Sequence, residues 1–81
     1  MEGTVYAINS QSGLVAVDTA SGFSIFEQTS SDFEIGDFVS WTSDHPIGAC
    51  EVRNISRSRM CTVYFQNHQV PGAFLKVNLQ L

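Results

Sequence analysis

Residues 4–28 read TVYAINSQSGLVAVDTASGFSIFEQ, and the reading of this stretch decides the fold class. Three short runs rich in β-branched and aromatic residues (4–8, 14–18 and 23–28) are separated by two polar clusters that end in glycine, Asn9-Ser10-Gln11-Ser12-Gly13 and Thr19-Ala20-Ser21-Gly22. Val, Ile, Tyr and Phe suit a pleated, half-buried surface. Glycine takes the positive φ that a tight turn demands. In the third run Phe23 and Ile25 share one face and Ser24 and Phe26 the other, following the two-residue period of a strand. The three runs predict an antiparallel meander joined by short hairpins.

Working outward, residues 29–36 form a longer connection, with Ser30 placed to cap one helical turn over residues 31–34. Gly36-Asp37 opens a fourth strand, residues 38–41, in which Val39 and Trp41 share a face. A loop over residues 43–48 leads to a fifth strand, residues 49–56. No window repeats its apolar residues at helical spacing. A tight meander followed by a longer crossing predicts an all-β domain over residues 1–58, a five-stranded OB-type Greek-key barrel. An SH3-like barrel competes on strand count alone.

Residues 59–81 read as a second unit. Residues 60–66 and 73–80 flank Asn67-His68-Gln69-Val70-Pro71-Gly72, and Pro-Gly is a strong turn signal. The last run alternates, with Ala73, Leu75, Val77, Leu79 and Leu81 on one side and Phe74, Lys76, Asn78 and Gln80 on the other. The pattern predicts a C-terminal β-hairpin extension. A lone hairpin is barely stable in water, so it has to pack on the barrel or on a partner chain.

The 81 residues are 43% hydrophobic and 15% charged, which excludes a charge-rich disordered tail. No apolar run approaches the roughly 20 residues of a membrane helix. All eight acidic residues precede residue 52 and all four basic residues follow it. Either the basic tail lies across the acidic body or the segregation marks an interaction tail. The N-terminus has no basic segment followed by an apolar one, so the expected compartment is cytoplasmic. Thiols stay reduced there, and Cys50 and Cys61 read as buried strand residues, with a disulfide between neighbouring strands as the alternative. Their spacing suits no metal site.

The skeleton Met1-Glu2-Gly3-Thr4-Val5, Asn9, Gly13, Val17, Gly22, Ile25-Phe26, Gly36-Asp37-Phe38-Val39-Ser40-Trp41, Gly48 and Val52-Arg53-Asn54-Ile55 resembles the cold-shock domain, a small OB barrel. The resemblance spans residues 1–56 and implies binding of single-stranded nucleic acid by stacking of bases on exposed rings. The segments that would carry those rings depart from the family. Tyr6-Ala7-Ile8 stands where the family has Lys-Trp-Phe, and Leu14-Val15-Ala16-Val17 where it has Phe-Gly-Phe-Ile. Phe26 alone stays in place and Tyr6 is a newcomer. Ile8, Leu14, Ala16 and Phe26 turn the old binding face aliphatic, and Leu75, Val77 and Leu79 of the tail supply a matching row. Such a face is more often a protein contact than a base platform.

The expected function is therefore a non-enzymatic binding or regulatory module acting through protein contacts, with a second copy of the chain as one candidate partner. The rival expectation is a single-stranded nucleic-acid binder using Arg53, Arg57 and Arg59 for phosphates and Tyr6 and Phe26 for stacking. Neutralising only about three phosphates gives weak binding. Catalysis is not expected. His45 and His68 lie in loops, no nucleophile–base–orienter set is legible, and no cofactor motif occurs.

Overall fold

The computed structural model describes all of residues 1–81. The expected meander is present as β1 (Glu2–Asn9), β2 (Leu14–Thr19) and β3 (Gly22–Gln28), paired antiparallel in that order. A bulge between Val5 and Ala7 breaks the alternation of β1, so that Val5 and Ile8 pack with the interior and Ala7 with the outer layer. Gly3 is fixed by close approach, because a Cβ there would lie 2.2 Å from the Asp18 carbonyl oxygen. Gly22 has φ +115°, which L side chains rarely adopt.

β4 (Phe38–Ser40), β5 (Gly48–Asn54) and β6 (Arg59–Val70) form a second antiparallel meander. β4 pairs with β1 and β6 with β3, closing a barrel in the order β1-β2-β3-β6-β5-β4. The all-β barrel is as expected, but it has six strands where five were expected. The count matters because a closed ring with an odd number of strands must contain a parallel pair. Six strands let every neighbouring pair be antiparallel, as observed.

The sixth strand comes from the expected tail. β6 lies between β3 and β5, so residues 59–70 belong to the barrel wall and not to a hairpin beside it. The expected turn over Asn67–Val70 is strand as well. Register shifts opposite Phe23, Ile25 and Phe26, with Gln69 at φ +53°, let β6 bend and turn Val70 to the outer layer. The chain leaves the barrel only at Pro71. The expected last strand is instead a 3-10 turn, Gly72–Phe74, and a short helix α1, Leu75–Leu79. Leu75, Val77 and Leu79 alternate, but Leu75 and Leu79 are also four residues apart and so share one helical face. That face meets the barrel and Val77 points away, 77% exposed. The expected helical turn after Ser30 is absent, and the Ser30 hydroxyl bonds to Asp32.

The interior holds Val5, Val15, Val17, Phe26, Phe33, Val39, Trp41, Val52, Cys61, Val63 and Phe65. Phe26 is fully buried and packs against Phe33 and Phe65 at centroid distances of 5.0 and 5.3 Å. Trp41 meets Phe65 at 5.1 Å. Offset and edge contacts of this kind add about 0.5–1.5 kcal/mol per pair beyond area burial.

Candidate contact surfaces

The outward residues of β2 and β3, Leu14, Ala16 and Ile25, are as apolar as the inward ones. With Val70 and Leu79 they form a second buried cluster, flanked by Ala7, Phe23 and Leu75. The aliphatic face expected from the sequence thus exists in part, and the chain's own C-terminal helix covers it. Leu14, Ala16 and Leu79 are buried there and Leu75 is half-buried. Ile8 and Phe26 do not belong to that face. Ile8 packs with the interior because of the β1 bulge, and Phe26 points inward because Ile25 points outward. Val77 joins neither cluster. Phe26 is therefore removed from any stacking platform.

Asn9 holds the helix down. Its Nδ2 donates to the Leu79 carbonyl at 2.7 Å, while its Oδ1 accepts from the Gln11 N–H at 3.0 Å in the β1–β2 turn. One buried amide therefore ties the hairpin to the helix end. The helix closes with Gln80 N–H to Val77 O and Leu81 N–H to Lys76 O, and Gln80 is left-handed at φ +61°. This is a Schellman ending, with glutamine where glycine is the usual residue.

A groove of about 310 Å³ remains between this helix and β1, lined by Tyr6, Ala7, Gly72, Leu75, Lys76, Leu79 and Leu81. Tyr6 is 56% exposed and its ring lies 5.2 Å from that of Phe23. Phe74, Val77 and Leu81, all on the C-terminal segment, are also largely exposed.

The three arginines do not act as one cluster. Arg57 pairs with Glu34 and, through Nε at 2.9 Å, with Asp37. Arg59 pairs with Asp32 at 3.0 Å. Arg53 has no carboxylate within ion-pair distance, and neither does Lys76. For Arg57 and Arg59, then, the basic segment does lie against the acidic body.

Asp37 and Asn54 form a buried polar core at one end of the barrel. Asp37 Oδ2 accepts from Asn54 Nδ2 at 2.8 Å, Glu34 N–H at 2.9 Å and Arg57 Nε at 2.9 Å. Asn54, fully buried, also donates to Asp32 O and accepts from Arg57 N–H. Burial pushes the Asp37 carboxyl up. The bonds from Asn54, Glu34 and Arg57, with the Arg57 charge, outweigh it and hold the group below its ordinary 3.8. Asp32 is also held low, chiefly by the Ser30 hydroxyl and then by Arg59. The sequence contains both Asp37 and Asn54 in its glycine-and-asparagine skeleton, but their pairing across 17 positions has no local signal.

Cys50 is half-buried and Cys61 buried, both as free thiols. They lie on neighbouring strands out of register, with Cys50 opposite Val63 and Cys61 opposite Val52. Burial pushes the Cys61 thiol up, and the nearby Asp32 charge adds to it. The His45 and His68 rings meet at 4.9 Å, and no group of three His, Cys, Asp or Glu side chains converges anywhere. No helix is long and apolar enough to cross a membrane. Compared with protein-family models, curated proteins and solved structures, the chain has no match in any of the three.

Proposed function

We propose that this chain is a non-enzymatic binding module that acts through protein contacts, with a second copy of itself as the first partner to test. The observation that carries the reading is the apolar groove beside Tyr6, which stays open after α1 has docked on its own barrel. A standard interface takes about 800 Å² per partner. Seven residues line the groove, Leu81 among them, so an interface of that size has to take in neighbouring exposed side chains, Phe74 and Val77 first. Exposed apolar side chains gathered on one segment are the usual mark of a contact surface.

The finer fold reading, an OB-type barrel similar to the cold-shock domain, draws support from the N-terminal meander, the long β3–β4 crossing and the glycines at positive φ at Gly13, Gly22 and Gly36. The nucleic-acid reading that goes with it has less support. Phe26 is buried, Arg57 and Arg59 are held by carboxylates, and five other carboxylates carry unneutralised negative charge.

Sedimentation equilibrium over a wide concentration range tests the proposal. The expected result is a reversible dimer that Leu81→Glu weakens, with the melting temperature unchanged at concentrations low enough for both chains to be monomeric. A monomer at every concentration, together with saturable binding of single-stranded DNA or RNA at low salt, overturns it.

A further inference from the structure

We infer a second contact site, on the outer face of β4, β5 and β6, that takes a short acidic segment of a partner protein with an apolar side chain next to its carboxylate. Two adjoining concavities lie there. The first, about 340 Å³, is lined by Arg53, Ile55, Ser58, Arg59 and Met60. The second, about 280 Å³, is lined by Ser40, Trp41, Thr42, Glu51, Arg53 and Met60. Arg53 and Met60 are opposite each other in the β5–β6 register and form the wall between the two.

Charge complementarity selects the occupant. Arg53 is one of two bases with no carboxylate and is the guanidinium in the first concavity free to take one, while Arg59, which lines the same concavity, is held by Asp32. The Arg59 ion pair to Asp32 uses one nitrogen, Nη1. A guanidinium offers several donors in a fixed fork that matches a carboxylate. The first concavity is thus the anionic end. Glu51 stands at the second and excludes a carboxylate from it. The rest of its lining is Ser40, Trp41, Thr42, Arg53 and Met60, of which Met60, 53% exposed, gives an apolar side chain a surface to pack on, and methionine adapts its shape to differing partners. Trp41 is only 4% exposed, and its buried Nε1–H has no acceptor in the protein.

A nucleic acid fits this face less well. Met60 and Ile55 are 53% and 45% exposed and offer no ring for stacking, and Trp41 is nearly buried. The site is separate from the groove beside Tyr6, so either can fail without the other.

The test is a titration of the isotope-labelled full chain, followed by NMR, with acetyl-Leu-Asp-Leu-Asp-amide. The Asn-for-Asp peptide is the neutral control and oligothymidylate the competing probe. Saturable shifts are expected at the Arg53 side chain, the Ser58 amide and the Met60 methyl. Arg53→Gln should weaken them about tenfold, which corresponds to about 1.4 kcal/mol, since the lost bond is to a charged partner. Lys76→Gln should leave them unchanged, and Glu51→Gln should strengthen them. Arg53 is exposed, so its replacement leaves the fold intact. Equal shifts with the neutral peptide, no saturation, or tighter binding of oligothymidylate at the same residues would overturn the inference.

Discussion

The barrel interior and the layer outside it are both apolar, but they are closed in different ways. Every strand contributes at least one side chain to the interior, and its ring of hydrogen-bonded neighbours is complete. The outer layer over β2 and β3 is closed by one five-residue helix. A helix of that length has no stability of its own in water. It stays folded because Leu79 is buried, Asn9 caps its last turn and the Schellman ending satisfies its carbonyls. The stability of the interior is spread over many residues, whereas that of the outer layer rests on two or three.

Paired truncations are the strongest way to break this comparison. Phe26→Ala removes the ring that joins Phe33 and Phe65 and should cost about 3–5 kcal/mol. That approaches the entire stability of a small domain, so thermal melts should show little or no cooperative transition. Leu79→Ala should cost about 2 kcal/mol or somewhat more, and the loss should be local. Amide exchange should speed up in α1 and around Asn9 while the slow amides of β3, β5 and β6 stay protected. Uniform loss of protection in Leu79→Ala would mean that the two layers fold as one unit.

The buried carboxylate sharpens the comparison at the end of the barrel. Asp37→Asn removes a charge that three donors surround, and it should cost about 1–3 kcal/mol at neutral pH. The sign with pH follows from the lowered folded-state value of Asp37. Its contribution is complete above the unfolded value and is lost as pH falls through the folded one. Wild type should therefore lose stability below about pH 4, and Asp37→Asn should lose less over the same range. Urea titrations at neutral and acid pH measure both. Identical pH slopes would mean that the network does not hold Asp37 ionised.

These residues also mark how far the sequence could be read. The expected runs at 4–8, 14–18 and 23–28 fall inside β1, β2 and β3, because Gly13 and Gly22 punctuate them and the runs are rich in β-branched and aromatic residues. The ion pairs of Arg57 and Arg59 fit the segregation of charge along the chain. Both faces of β2 and β3 are apolar, so the pattern does not distinguish the interior one, and Phe26, expected beside Leu14 and Ala16, points inward instead. The place of β6 depends on a pairing with β3 across 35 to 47 positions, for which no local pattern exists. The groove beside Tyr6 has no sequence signal for a related reason. It exists only once α1 is helical.

The smallest expected effect tests the helix itself. A strand over residues 73–80 would put Val77 inward beside Leu75 and Leu79, and Val77→Asp would then bury an unpaired charge and cost several kcal/mol. In the helix Val77 is 77% exposed and lies opposite the face that meets the barrel. Val77→Asp should therefore change the stability of the monomer, measured at concentrations too low for dimerisation, by no more than about 0.5 kcal/mol, as for other exposed positions. The change should be slightly unfavourable, because a negative charge is added close to the negative end of a helix dipole. Val77→Lys controls for this, since it places the opposite charge at the same site and should be neutral or slightly stabilising. A large loss in both variants would return Val77 to the interior and with it the strand. A small loss in the first and none in the second fits only a helix whose Val77 side faces solvent.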